Sequence, residues 1–280
     1  MQNYKTTVEK SMTKFENYLK QEEKSPATIK KYLRDVRHFY TFLEDRPICK
    51  EETIAYKQYL FEKYALTSIN SMLVALNVYL RFTSHPEYCI KLYKIQRPIF
   101  CEESRNLTKE EYIQLVKAAG NTQLSLILQT ICCTGIRVSE LQSITVDSVY
   151  NGRATVTSKN KTRIVFITEP LQKLLKKHIT DQKIRSGPLF LTPNGKPIDR
   201  STLWRKMKKL CKYTNIYPDK VFPHNLRHLF AKTFYSNEKD IIRLADLLGH
   251  SNINTTRIYT AETEFGQIHK LKQIQNILAT

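Results

Sequence analysis

The sequence predicts a mainly α-helical protein of two domains, with a small β-hairpin sheet in the second domain (α+β). Three observations carry this expectation. The first hundred residues show helical periodicity only. Between Ser84 and Asn106 the periodicity lapses, in the two-proline, mixed-charge stretch SHPEYCIKLYKIQRPIFCEESRN. Beyond it, the β-branched segments RATVTS (153–158) and RIVFIT (163–168) interrupt an otherwise helical pattern. At 280 residues and 41% hydrophobic content, each domain can bury its own core.

An amphipathic helix is expected over 4–22. Ser25-Pro26 then supplies an N-cap with proline at the first helical position, opening a second helix, PATIKKYLRDVRHFYTFLE. Third and fourth helices at 51–64 and 67–83 complete a small bundle over 1–84, with 85–106 as the interdomain linker. The second domain, 107–280, starts at Thr108, whose partner Glu111 stands three residues on as in a capping box. An apolar helix over 122–134 stops at Gly135, and Arg137 emerges just beyond. The hairpin follows, with Lys159 at its turn-side edge. Further helices are expected at 170–184, 199–213, 224–236, 239–248 and 264–278, with a strand-and-turn unit in LFLTPNGKPI (189–198).

The formal net charge is +19. Residues 1–100 hold 17 basic and 11 acidic side chains and residues 101–280 hold 28 and 15, so both domains are basic. That distribution suits two surfaces gripping one polyanion through phosphate neutralisation and counterion release. A membrane surface would attract the same charge, but no stretch approaches the ~20 apolar residues of a span, and MQNYKTTVEK is not a signal peptide. A cytosolic protein without a membrane partner is expected. The six cysteines, Cys49, Cys89, Cys101, Cys132, Cys133 and Cys211, form no C-x-x-C pair, so neither a zinc framework nor a disulfide scaffold is indicated. Cys132 and Cys133 are expected as small buried thiols in the apolar run LSLILQTICC.

Residues 223–235, PHNLRHLFAKTFY, place two histidines and an arginine within five positions of a core-like helix. Leu226, Phe230 and Ala231 can face the core while His224, Arg227 and His228 share the neighbouring face. Taken alone, the segment fits a structural ion pair with ordinary half-buried histidines equally well. A metal site on His224 and His228 lacks an HExxH pattern or a nearby cysteine, so none is expected.

Three segments in order, TGIRVSEL (134–141), PHNLRHLF (223–230) and LLGHSNINTTRIYT (247–260), resemble the signature boxes of the tyrosine recombinases, the Xer-like and phage-integrase group. The resemblance implies a two-domain DNA clamp whose catalytic domain breaks a phosphodiester without metal, cofactor or ATP. Such a reaction needs a nucleophile, neutralised non-bridging oxygens and a protonated leaving group. On that reading Tyr259 is the nucleophile, forming a 3′-phosphotyrosyl ester. Arg137 and Arg227 bind the scissile phosphate, since planar guanidinium forks match its oxygens. Glu140 orients Arg137, and Lys159 protonates the 5′ oxygen. The turn here is Ser-Lys-Asn rather than the family's Gly-Lys-Gly type and is one residue shorter, which leaves Lys161 as a competitor. His224 accepts or relays the tyrosine proton, His250 hydrogen-bonds the phosphate, and His228 supports the helix.

The amphipathic stripe Phe265, Ile268, Leu271, Ile274 and Leu278 predicts a C-terminal helix over 264–279. It either folds back on its own domain or, as the resemblance implies, docks on a neighbouring protomer in a homo-oligomer, a tetramer on synapsed double-stranded DNA with inverted half-sites. The resemblance likewise places the protein with its DNA at a bacterial nucleoid. Two alternatives use the same residues differently: a type IB topoisomerase that relaxes DNA without pairing sites, and a non-catalytic DNA-binding regulator.

Overall fold

The computed structural model describes residues 2–95, 105–158 and 161–259. The chain divides into two compact units, Met1–Arg97 and Pro98–Thr280.

The first unit is built from α1 (Gln2–Gln21), α2 (Pro26–Leu43), α3 (Lys50–Lys63) and α4 (Leu66–Phe82). Helix α2 starts where expected because the Ser25 hydroxyl accepts from the Thr28 amide at 3.2 Å. Met12, Phe15 and Leu19 of α1 bury against Ile29, Leu33 and Val36 of α2 and Tyr79 of α4. A second cluster joins Phe39 and Leu43 to Tyr56, Leu60, Leu73 and Leu76. The phenol of the buried Tyr79 is satisfied by the hydroxyls of Ser11 and Tyr40. The stretch expected to act as linker from residue 85 is held by α4 as far as Tyr93. Asn77 accepts from the Ile90 amide at 2.9 Å and donates to the Ile90 carbonyl at 2.8 Å. Asn70 does the same for Tyr93, at 2.8 Å each way. Each asparagine thus satisfies the backbone of an extended chain as a neighbouring strand would.

The second unit comprises α5 (Lys109–Ala119), α6 (Gln123–Thr134), α7 (Val146–Tyr150), β1 (Arg153–Ser158), β2 (Lys161–Phe166), α8 (Glu169–Asp181), α9 (Arg200–Leu210), α10 (Pro223–Glu238) and α11 (Ile241–Leu248). The Thr108–Glu111 capping box is formed in full at the start of α5. The main core gathers Ile127, Leu128 and Ile131 of α6, Val156 and Val165 of the hairpin, Leu175 of α8 and Leu226 of α10. A smaller cluster, Ala231, Leu244, Leu248 and Tyr259, lies under the C-terminal part of the described chain.

Several boundaries differ from the sequence reading. Strand β2 starts at Lys161 rather than residue 163, because Lys161 and Thr162 continue the antiparallel ladder opposite Ser158 and Thr157. The Thr157 and Thr162 hydroxyls meet at 3.1 Å across the strands, a cross-strand pair that extends the sheet. Only residues 159 and 160 separate the strands, and both lie outside the described residues. The 189–198 segment forms a turn closed by Thr192 and Lys196 with one isolated bridge, Leu191 to Pro197, instead of a strand. The end expected for the helix over 199–213 tightens into a 3-10 turn at Cys211–Tyr213. The 3-10 turn Val138–Ser143 and the five-residue α7 have no counterpart in the sequence reading, being too short for a periodic signal. Cys132 is half-buried, its thiol pushed up to about 12 by burial, whereas Cys133 is exposed rather than buried. Among the described residues no helix is long and apolar enough to cross a membrane, and no group of three or more His, Cys, Asp or Glu side chains could hold a metal ion.

Candidate active site

The site is assembled from four segments, the turn after α6, strand β2, helix α10 and the turn after α11. The first is the end of α6, where Gly135 adopts φ +63° and its carbonyl faces α10. A Cβ at Gly135 would lie 2.6 Å from the Phe230 ring, so glycine is required by close packing as well as by backbone angle. Two residues later Arg137 caps the following 3-10 turn. Its amide donates to Glu140 Oε2 at 2.9 Å and its Nη1 to Glu140 Oε1 at 2.8 Å. Glu140 thus holds Arg137 at two points. About a third of the Arg137 side chain stays open to solvent, 34%.

Sequence reasoning missed the other partner of Glu140. Arg163 on β2 reaches the same carboxylate with Nη1 at 3.0 Å and Nη2 at 2.8 Å, and gives Nε to the Leu247 carbonyl at 3.1 Å. The signal was strand alternation: Arg163 pairs with Val156 on the face that buries Ala154 and Val165, where an arginine demands a partner. Gly249, with φ +63°, makes room for it, since a Cβ there would meet Arg163 Cδ at 2.8 Å. Register places Lys161 on this same face of β2.

Glu140 is only 3% exposed. Burial alone would push its carboxyl up, but hydrogen bonds from Arg163 and from the amide and guanidinium of Arg137 overcome it and hold the group at about 2. Its folded value is depressed from 4.5, so its contribution to stability is present above pH 4.5 and is lost as pH falls towards 2. That difference amounts to about 3 kcal/mol. Glu140→Gln is therefore expected to lower the unfolding free energy at pH 7 by about 3 kcal/mol in urea titrations. The gap from wild type should close as pH falls from 4.5 to 2; a gap independent of pH would mean that the ion contacts contribute nothing.

Helix α10 supplies three residues in different settings. Arg227 is 2% exposed. Its Nη1 donates to the Gly135 carbonyl, and its Nη2 donates to the Leu248 carbonyl at 2.7 Å and to His250 Nε2 at 3.1 Å. Burial and the charge of Arg137 lower Arg227 to about 10, which leaves it cationic at neutral pH. His224 is exposed, yet desolvation by its neighbours and the charges of Arg227, Arg200 and Arg137 hold it below the ordinary histidine value. His228 is half-buried, and its Nε2 finds no hydrogen-bond partner among the described residues. Burial, followed by Lys232 and His224, pushes it down to about 4.

The last segment follows α11. His250 Nδ1 lies 2.9 Å from the Thr256 hydroxyl. Burial and the charges of Arg227, Arg137 and Arg163 bring His250 to about 4, so it is neutral at physiological pH. Tyr259 ends a 3-10 turn and is 3% exposed. Its ring meets His228 edge-on, with centroids 4.9 Å apart, and stacks on His250 at 6.2 Å. Burial raises its phenol above the ordinary value against the pull of Arg227 and Arg137. The structure thus brings Arg137, Glu140, Arg227, His228, His250 and Tyr259 into one network, with His224 at its rim. Lys159 and the helix expected over 264–279 lie outside the described residues.

Arg137 and Arg163 hold one carboxylate, and Arg227 lies with the imidazole of His250 and the phenol of Tyr259, so cationic groups, a neutral imidazole and a phenol are gathered in one place. Residues 105–264 match the phage integrase family, and residues 12–86 match the phage integrase N-terminal SAM-like domain. The chain belongs to the phage integrase family of tyrosine recombinases. It is 31% identical to the tyrosine recombinase XerD of Staphylococcus saprophyticus, covering 92% of this chain and 97% of that one. It is 29% identical to the tyrosine recombinase XerA of Pyrococcus horikoshii, covering 95% of both. The fold is that of a lambda integrase dimer bound to a COC′ core site, with TM-score 0.71 at 17% identity over 90% of this chain and 76% of that one. This tyrosine recombinase is a site-specific recombinase or integrase by descent.

Proposed function

We propose that the protein cuts and rejoins double-stranded DNA at sites with inverted half-sites, through a covalent 3′-phosphotyrosyl intermediate on Tyr259. The observation that carries this reading is the placement of Tyr259 between His228 and His250, within the field of Arg227 and Arg137. Tyr259 Oη bonds to phosphorus as the bond to the 5′ oxygen breaks. The phenol proton passes to His224, whose lowered basicity keeps it unprotonated and able to accept. Arg137 and Arg227 neutralise the non-bridging oxygens of the crowded transition state. Lys159, or Lys161 from the inward face of β2, protonates the leaving 5′ oxygen. The tyrosyl ester conserves the bond energy for rejoining, so no nucleotide is consumed.

Residues 1–84 serve as a second DNA-binding body, 85–106 as linker and 107–280 as the catalytic domain, consistent with an excess of positive charge in both parts. Pairing of two sites calls for four protomers, with 264–279 docking on a neighbour. The lambda integrase that shares the fold is a dimer on its core site, which supports DNA and self-association as partners here.

The test is to incubate the protein with randomised nicked duplexes, denature it in detergent, sequence the attached DNA and map the modified peptide. The expected outcome is a phosphodiester on Tyr259 and an enriched sequence with inverted half-sites. Attachment at another residue, or none despite demonstrated binding, would overturn the reading; attachment without sequence enrichment would point to a relaxing topoisomerase.

A further inference from the structure

One buried residue of the network has no role in the reaction as written above. Thr256 is fully buried, 0% exposed, and its hydroxyl lies 2.9 Å from His250 Nδ1. The direction of that bond follows from the other end of the ring. His250 Nε2 lies 3.1 Å from Arg227 Nη2. A guanidinium can only donate, so Nε2 must accept, and the single proton of the neutral ring sits on Nδ1. His250 Nδ1–H therefore donates to Thr256 Oγ1. The chain reads Arg227 Nη2–H to Nε2, then Nδ1–H to Oγ1. Its last member shares a turn with the nucleophile: the Tyr259 amide donates to the Thr256 carbonyl at 2.9 Å, and the Thr256 amide to Ile253 at 2.8 Å.

We propose that Thr256 is a positioning residue for strand cleavage: it keeps the proton of His250 on Nδ1, so the ring presents Nε2 to Arg227 and the scissile phosphate. This rests on the DNA-cleavage reading above. A ring so held has two useful states. Neutral, Nε2 accepts from Arg227 and fixes the guanidinium. With a phosphate anion in place, Nε2 can take a proton from solvent, release its hydrogen bond from Arg227 and donate to a phosphate oxygen, while Nδ1–H keeps the same bond to Thr256. The threonine thus confines every protonation change of His250 to the nitrogen that faces the chemistry. The groups that act on that ring are Arg227 and His224 from α10, Arg137 from the turn after α6, Arg163 from β2, and the stacked Tyr259. The cations disfavour a second proton until the phosphate arrives. Because Thr256 and Tyr259 belong to one turn, docking of the nucleophile and alignment of the phosphate-binding arginine become one event.

Two measurements test this. Histidine-15N-labelled full-length protein without DNA should show His250 with Nδ1 protonated and Nε2 bare, the resonance being assigned by its loss in His250→Gln. A ring protonated on Nε2 would overturn the assignment. On a nicked duplex, Thr256→Val should cut up to about 100-fold more slowly at unchanged DNA affinity, the effect of a group misplaced by about 1 Å. Thr256→Ser, which keeps the hydroxyl, should stay within about threefold of wild type. Valine cutting at the wild-type rate, or serine failing as badly as valine, would overturn the proposal. Should valine prevent folding, the ring measurement and the serine variant decide. If the wild type forms no adduct while its ring shows the expected proton position, the hydrogen-bond assignment stands and it is the cleavage reading that falls.

Discussion

Tyr259→Phe is expected to bind DNA with wild-type affinity and to form no covalent adduct on nicked duplexes. Only one oxygen is removed. The ring remains in the cluster with Ala231, Leu244 and Leu248, its contacts with His228 and His250 are contacts of ring faces and edges, and the hydroxyl gives up only its hydrogen bond with Arg227, whose other partners stay in place. The fold should therefore survive, and a melting curve close to wild type would confirm it. The reaction, by contrast, loses the one hydroxyl nucleophile that the proposed 3′-phosphotyrosyl ester requires, and the Glu140 carboxylate is occupied by two arginines. Adduct formation should fall by at least about four orders of magnitude, as when the nucleophile of another covalent enzyme is removed. An adduct surviving in the phenylalanine variant would assign the chemistry to a different residue. Full biological activity with no adduct in either protein would favour the DNA-binding regulator.

The sequence made Tyr259, Arg137, Arg227 and the histidines legible as candidates because their spacing is carried within short segments. Each box brings its own local structure: a glycine stop before Arg137, a helix start before His224 and a second glycine before His250. What the segments cannot carry is the partner from far along the chain. Arg163 bonds a carbonyl 84 residues away, and Arg227 one 92 residues away. Strand alternation marks Arg163 as anomalous without naming Glu140 as the reason. Thr256 was invisible for a different cause: a threonine beside another threonine looks like turn filler until the ring nitrogen facing it is known. In the first unit, Asn70 and Asn77 sit on a helix where periodicity is blind to what they hold, so the chain they capture looked like free linker.

Arg227→Lys is expected to fail in two separable ways, although it conserves the charge. The guanidinium of Arg227 serves the carbonyls of Gly135 and Leu248 and Nε2 of His250, and also hydrogen-bonds the Tyr259 phenol, from a position 2% exposed. A lysine ammonium is a point donor on a differently shaped stem and cannot span all of these partners. At least one buried carbonyl is left without its donor, which costs about 1–3 kcal/mol, to be read from urea unfolding. The second loss is catalytic. On the proposed mechanism the planar fork that holds the ends of α6 and α11 also presents its remaining N–H groups to the phosphate, so the lysine variant would lose alignment as well as hydrogen bonds. Cleavage under conditions where the variant is fully folded should fall about 100- to 1,000-fold, the usual effect of deleting a preorganised donor to a transition-state oxyanion. The two losses differ in their response to binding. DNA affinity depends on many lysines and arginines in both units and should change little, so the defect should appear in the rate and not in the dissociation constant. A lysine variant that cuts within tenfold of wild type would show that Arg227 acts through charge alone, and that its hydrogen-bond partners concern only the fold.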